Sequence, residues 1–479
     1  MKNKYKYLLN NIFLFSISSF VPKLLAFILI PIYTSYLSTA DYGISDLIST
    51  TVSLLIPIFT IDIQDAVLVF SMDKNTKTED VLNIALRINF IGFIIILIGT
   101  TLTNYFNLFN VSSYIYIFFL ISYISNSLLN SLTIFCKGIN KVKTIVVSSI
   151  INSTITLLLN IILLKFCNFG IIGYLIANTT GLVISLFYIF IDIRIYRYFN
   201  LSCNNKLFRE MIKFSFPLVF SALAWWINNA SDRYILSWMM GVSVSGLYAI
   251  SYKIPSLLTI LQNIFSQAWS ISAIKEFDKN DCDSFIGNLF TILNFTMVFA
   301  CSIIMIFNVP IAKMLYSDSF FYAWKFVPPL LLSVVFNALS LFIGSIFTTM
   351  KDTKTLSIST IVGALINTIL NVILIKHFGA YGAAIATFIG YLVVFNIRNI
   401  LLRRYVVMKT NYKINTISYL LLFIQMIVAF FGSKYYYIQL LISFTFILLY
   451  KGCIIDILKT LKKLLSREGK KQKWKKLEY

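Results

Sequence analysis

Three cations stand inside apolar runs of this sequence or at the end of one: Lys23, Arg233 and Lys253. An ionised side chain at mid-bilayer costs roughly 2.5–3.5 kcal/mol on the mildest scale, so each needs a partner or a wet cavity. At about 1.5 Å per helical residue, Lys23 lies roughly 18 Å into its run and Lys253 about 15 Å from the end of its own. Arg233 lies near the end of its run. Together they would line a cavity suited to an anionic group such as a pyrophosphate, Arg as a planar fork and Lys as a mobile point charge. Each has a blander reading. Arg233 follows Asp232 and can pair locally or reach outward; Lys23 can pair with Asp46. Lys253 is the hardest to place without a cavity, whereas Lys451 suits a chain end that snorkels.

A polar stripe accompanies Lys253: Tyr248, Tyr252, Ser256, Thr259, Asn263 and Gln267. Steps of three or four put these on one helix face, with Lys253 toward its edge. Trp225, Asn229 and Asp232 repeat the spacing one run earlier. Rings and amides together suit sugars, although Trp is also enriched at membrane interfaces. Three acids, Asp46, Asp62 and Asp65, are candidates for a coupling H⁺ or Na⁺, or neutralise nearby cations. Asp281-Cys282-Asp283 resembles the carboxylate pair of nucleotide-sugar glycosyltransferases, but no soluble domain surrounds it and it reads as a solvated loop. The six cysteines lack CxxC spacing and His377 is the only histidine, so neither a disulfide framework, a metal site nor a cofactor is implied.

The elements that carry these residues are apolar helices. Of 479 residues 58% are hydrophobic and 13% charged, against roughly a quarter charged in soluble domains; mean hydropathy is +0.81. Lipid forces each run to satisfy its own backbone, so the fold class is all-α: a polytopic membrane protein of about fourteen spans. The spans fall near 11–36, 43–69, 81–103, 113–135, 144–165, 170–193, 210–231, 242–269, 285–309, 323–348, 356–376, 380–402, 414–432 and 435–457. The first follows Lys2, Lys4 and Lys6 but is too long for a signal peptide and lacks a cleavage site, which predicts a retained span. With the N-terminus inside, inner segments hold 32 of the 41 Lys and Arg and outer loops five, so both termini are expected to be cytoplasmic. The net charge of +22 is thereby a signal of orientation. Charges spread over eight short segments do not suit nucleic acid. The basic tail instead begins as an amphipathic helix matched to an anionic leaflet.

Internal repetition organises the spans. Leu159-Asn160-Ile161-Ile162-Leu163-Leu164-Lys165 is echoed by Leu370-Asn371-Val372-Ile373-Leu374-Ile375-Lys376, each followed by a Gly-x-x-Gly at Gly170 and Gly379. Six helices per copy, an even number, make a parallel repeat. The predicted domains are a six-helix lobe over 1–205, a second over 206–410, an appended helix pair over 411–457 and a basic tail over 458–479. Pro22, Pro31, Pro57, Pro217 and Pro255 fall in corresponding helix pairs that open each lobe, where they bend helices and can serve as hinges.

An ordered set of short motifs then resembles a known family. Asp41-Tyr42-Gly43, Ser231-Asp232-Arg233-Tyr234, Gly246-Leu247-Tyr248-Ala249, Tyr252-Lys253, Lys351-Asp352-Thr353-Lys354-Thr355 and Gly379-Ala380-Tyr381-Gly382 fit the polysaccharide transporter (Wzx-type) family. That family belongs to the multidrug/oligosaccharidyl-lipid/polysaccharide flippase superfamily. The resemblance runs from about residue 10 to 410 and implies two six-helix lobes around a central cavity. It implies no enzyme but a flippase of the bacterial plasma membrane, moving undecaprenyl-pyrophosphate-linked oligosaccharide by alternating access for O-antigen, capsule or exopolysaccharide synthesis. Implied partners are that lipid-linked oligosaccharide, membrane lipids, and polymerase or chain-length proteins of the same pathway. Functional cations carry over to Arg233 and Lys253, whereas an Arg-Phe common after span 2 is replaced by Val69-Phe70. An anionic headgroup leaving a negative interior gains about 2.3 kcal/mol per charge per 100 mV, so H⁺ or Na⁺ coupling is plausible but not required. Two other readings compete: a cation-coupled drug or metabolite exporter, disfavoured by three cavity cations, and a membrane-embedded glycan polymerase or transferase, disfavoured by short outer loops.

Overall fold

The computed structural model describes residues 22–73, 76–107, 112–198, 204–275, 285–350, 352–406 and 408–455. The Asp281-Cys282-Asp283 segment, the basic tail and the lysines at the N-terminus lie outside the described residues. Within the described residues the regular structure is helical, without strands. Among the described residues ten helices are long and apolar enough to cross a bilayer, or eleven if Val242–Ser251 and Pro255–Ser266 are one span. That count does not reach fourteen. The expected spans 11 and 12 are two helices that meet at Gly379, where φ 57 and ψ −140 break the stretch Thr353–Leu402 that this count takes as one. Pro22–Tyr36 starts at the first described residue, so the beginning of the expected first span lies outside the described residues, and Tyr436–Leu449 is shorter than a full crossing.

The chain forms two compact units. The first comprises Met1–Lys253, Lys313–Ala323 and Ala364–Ala383. Its main helices are α1 (Pro22–Tyr36), α2 (Thr39–Phe59), α3 (Ile63–Met72), α4 (Thr78–Tyr105), α5 (Ser113–Gly138), α6 (Val142–Asn160), α7 (Gly170–Ile193), α8 (Asn205–Met240) and α9 (Val242–Ser251). A capping box starts α2: Ser38 Oγ accepts from the Asp41 amide at 3.1 Å and the Asp41 carboxylate accepts from the Ser38 amide at 3.2 Å. Pro57 weakens its last turn, and Ile61 and Asp62 then take positive φ of 54° and 47° before α3 begins. Such backbone is costly for a side-chain-bearing residue and redirects the chain. The second span is therefore two helices meeting at Asp62. The core beneath α3 is apolar and sealed, with Ile63, Ala66 and Val67 against Leu82, Leu132 and Phe135. Asn204 caps α8, its Oδ1 accepting from the Leu207 amide at 3.2 Å.

The repeated hairpins of this unit are built alike. Asn160 and Asn371 are both fully buried. Gly170 and Gly379 both adopt positive φ, 53° and 57°, a conformation only glycine takes freely. Three residues on, a Cβ on Gly173 would meet Leu163 Cβ at 3.1 Å, and one on Gly382 would meet Leu374 O at 2.3 Å. Leu163 and Leu374 are themselves repeat partners.

The second unit comprises Ile254–Ala312, Trp324–Gly363 and Ala384–Tyr479. It contains α10 (Pro255–Lys275), α11 (Phe285–Ile306), α12 (Val327–Thr349), most of α13 (Thr353–Leu402), α14 (Tyr412–Phe430) and α15 (Tyr436–Leu449). Apolar α12 is its most buried element; Trp269 stacks on Phe342 with centroids 4.3 Å apart. A buried polar ladder ties the last two helices to α11. Asn294 Nδ2 donates to Asn415 Oδ1 and Tyr450 Oη, each at 2.9 Å, and Ser302 Oγ donates to Gln425 Oε1 at 2.8 Å. In lipid, where apolar contact alone adds little, such bonds hold helices together. Arg398, near the end of the expected span 380–402, is buried here. It donates to Ser359 Oγ, Ser340 O and Thr360 Oγ1, each at 2.9 Å.

Candidate functional site

A cavity of about 830 Å³ lies in the first unit. Its wall takes Pro22, Leu25, Ala26 and Leu29 from α1, and from α2 a face running from Ser45 through Ser49 and Ser53 to Pro57. Asp62, Gln64 and Asp65 stand where α2 gives way to α3. Trp225 and Trp226 come from α8, and Lys253 completes the lining just beyond α9. Of the cations expected in a cavity, Lys253 is in this wall; Lys23 is not, although its neighbour Pro22 is.

Arg233 sits outside the lining, in a charged cluster. Its Nε lies 2.8 Å from Asp46 Oδ2 and its Nη1 3.7 Å from Asp232 Oδ1. Nη1 also donates to Asn229 O at 2.7 Å, and the guanidinium lies 4.7 Å from the Tyr252 ring centroid. Tyr248 and Tyr252 both donate to Asp232 Oδ2, at 2.6 and 3.0 Å. Residues read from sequence as a sugar-facing stripe thus serve an ion-pair cluster. Asn229 Nδ2 donates to Trp225 O at 2.7 Å. Ser256 and Asn263 belong to the second unit, because the chain leaves helix between Ser251 and Pro255 and the stripe is not one continuous face.

The same cluster fastens α2 to α8, with further bonds along the seam. Trp226 Nε1 donates to Thr50 O at 3.0 Å, and Thr51 Oγ1 and Tyr234 Oη share a hydrogen bond of 2.5 Å. Beyond the end of the cavity marked by Ser45, α2 crosses α9 at two glycines. A Cβ on Gly43 would fall 2.3 Å from Val242 O, and one on Gly246 1.9 Å from Thr39 O. Backbones this close leave no gap between α2 and α9. Tyr33 and Tyr174, edge to face at 4.9 Å, line the wall below.

Sequence reasoning missed the wall's amides: Asn126 and Asn130 on α5, Asn152 on α6 and Asn178 on α7. Ser122, Asn126 and Asn130 recur every four residues, the spacing that singled out the stripe around Tyr252, so the signal was present. Chemically, the cavity offers one ammonium, two carboxylates, aromatic faces and many neutral hydrogen-bonding groups. Among the described residues no cluster of His, Cys, Asp and Glu could hold a metal ion.

Comparison with solved structures gives the fold. The chain is similar to a lipid II flippase, MurJ, in an inward closed conformation: 18% identity, TM-score 0.71, covering 93% of this chain and 99% of that one. It is also similar to a multidrug resistance MATE family transporter of the MOP superfamily. The inward-facing form gives 13% identity and TM-score 0.66, covering 81% of this chain and 97% of that one. The outward-facing form gives 14% and 0.58, covering 81% and 93%. No curated protein matches by sequence. The family model described as polysaccharide biosynthesis protein matches residues 8–271, more than half of the 479, and agrees with the resemblance carried by the motifs. This multi-span membrane chain belongs to the polysaccharide biosynthesis protein family.

Proposed function

We propose that the chain is a flippase carrying an undecaprenyl-pyrophosphate-linked oligosaccharide from the inner to the outer leaflet of a bacterial plasma membrane, with both termini cytoplasmic. The observation that carries the reading is Lys253 in the wall of a large cavity that also bears amides and hydroxyls, in a chain of this family. An ammonium kept inside an apolar bundle suits a phosphate-bearing headgroup. The likeness to a lipid II flippase supports a lipid-linked cargo. On the topology read from Lys and Arg placement, the Gly43–Gly246 crossing is the outer end of the cavity, closed in this state. Movement of α2 against α9 would open it, in the alternating manner of repeat-built transporters. Arg233 acts in this reading by holding that seam, while Asp46, Asp62 and Asp65 remain the groups for H⁺ or Na⁺.

A second reading is a cation-coupled drug or metabolite exporter, favoured by Asp62 and Asp65 in the wall and by the MATE-like fold. One experiment separates the two. Deleting the gene should make an undecaprenyl-linked glycan accumulate on the inner leaflet; Lys253→Gln should reproduce this at normal protein level. Normal surface glycan with raised sensitivity to cationic drugs would favour the exporter.

A further inference from the structure

We propose that the glycan itself is read by a neutral amide wall, and that the sugars carried are uncharged hexoses and N-acylated hexosamines. The proposal rests on the flippase reading and specifies its cargo. The wall consists of Ser122, Asn126 and Asn130 on α5, Asn152 and Thr156 on α6, and Asn178 on α7. The three α5 residues span eight positions, about 12 Å of rise, which suits a short oligosaccharide better than a single ring.

The amides are held in place rather than left to swing. Asn126 Nδ2 donates to Ser122 O at 2.9 Å and Asn178 Nδ2 to Tyr174 O at 2.8 Å. Each bond uses one amide hydrogen and leaves the carbonyl oxygen and second N–H for a partner. Sugar hydroxyls both donate and accept, so a primary amide complements them without the cost of stripping water from an ion. Gly181 makes room for the α6 pair: a Cβ there would fall 2.3 Å from Thr156 Oγ1 and 2.7 Å from Asn152 Oδ1. Any side chain at 181 would displace both groups, so Gly181 is a positioning residue for the wall.

Charge selects the sugar class. Among the described residues, the charged groups of the lining are Lys253, Asp62 and Asp65. Lys253 is the group assigned to the pyrophosphate. A uronic or phosphorylated sugar would enter a wall that offers it no arginine and two carboxylates, with like charges repelling across a cavity of low dielectric.

The test uses the full chain in lipid nanodiscs and three probes. These are undecaprenyl pyrophosphate alone, the same lipid bearing an N-acetylhexosamine disaccharide, and the same lipid bearing a hexuronic acid. The wild type should bind the neutral glycolipid at least tenfold more tightly than the bare lipid, and the uronic form no more tightly than the bare lipid. Asn126→Leu with Asn152→Leu should weaken the neutral glycolipid by about ten- to a hundredfold, on the scale of two to four hydrogen bonds, with a far smaller effect on the bare lipid. Gly181→Ala should do the same in milder degree, and serves if the double variant does not yield folded protein. Equal binding of bare and glycan-bearing lipid, or tight binding of the uronic form, overturns the proposal while the flippase reading stands. Failure to bind any of the three overturns both.

Discussion

Replacing Gly246 by alanine should drive the protein out of the state described here. The added Cβ would lie 1.9 Å from Thr39 O, 2.8 Å from the Gly43 amide nitrogen and 3.1 Å from Gly43 Cα. All three are backbone atoms, so no side chain can turn aside. Restoring contact distance requires α2 and α9 to part by about 1 Å or more, and a close-packed crossing resists that. Overpacking of this kind costs about 1–3 kcal/mol, and any conformation in which the two helices are apart escapes the cost. The ratio of closed to open forms should therefore fall about 5- to 150-fold. The readout is a cysteine introduced at Ser45 in a cysteine-free background, probed from outside intact cells with a membrane-impermeant maleimide. Labelling should be slow in the parent and rise steeply with Gly246→Ala. Gly43→Ala, whose Cβ would meet Val242 O at 2.3 Å, should act in the same direction. Unchanged labelling with normal protein levels in both variants would refute the idea that this crossing closes the cavity.

Two further expectations follow from the charged groups. Asp46→Asn should lower the unfolding temperature in detergent, because removing one member of a buried pair costs about 3–5 kcal/mol. The retained Asp232 should hold the loss to the lower part of that range, and Asp46→Asn with Arg233→Gln should recover some of it; a double variant no better than the single would show that the pair contributes nothing. At the start of α13, Asp352 Oδ2 accepts from Thr355 Oγ1 at 2.7 Å and Oδ1 from the Thr355 amide at 3.1 Å, and these bonds hold its carboxyl below the ordinary 3.8. A depressed carboxylate stabilises fully above its unfolded value and loses that contribution as pH falls through the lowered folded one, so Asp352→Ala should cost stability at pH 6 and none near pH 2, measured by thermal unfolding in acid-stable detergent.

The helical membrane fold was legible because lipid leaves the backbone few alternatives, and the repeat because Asn160 and Asn371, Gly170 and Gly379, occupy matching places in matching hairpins. The fate of each intramembrane charge was not. Depth along a helix can be counted from sequence, but a partner supplied by another helix cannot. Arg233 lies 187 positions from Asp46, yet the two side chains touch. Arg398 stands near the end of the expected span 380–402, where neutral oxygens on α12 and α13 receive it. The break at Asp62 was hidden for another reason. Positive φ at Ile61 and Asp62 is imposed by surrounding packing on residues that do not favour it, so no glycine marked the place. The amide wall was not legible because a four-residue spacing such as that of Ser122, Asn126 and Asn130 equally marks polar contacts between membrane helices.

The pairing of Arg233 changes what the cavity can do. A carrier must hold its cargo well enough to load and loosely enough to release it on the far side. Three uncompensated cations around one pyrophosphate, in an environment of low dielectric, would favour loading at the expense of release. With Arg233 committed to Asp46 and Asp232, a headgroup carried as proposed would meet Lys253 in a wall whose polar groups are otherwise amides, hydroxyls and two carboxylates set among apolar side chains. Neutral hydrogen bonds each contribute about 1 kcal/mol net and exchange readily with water, so affinity is spread over many small terms. The pair would also couple charge to shape in the proposed cycle, because Asp46 stands on α2, Arg233 on α8, and the seam they hold is adjacent to the crossing proposed to part. Parting it would strand both charges unless water or an incoming phosphate replaced the lost partner, which ties opening to the presence of something ionic or wet at that end of the cavity.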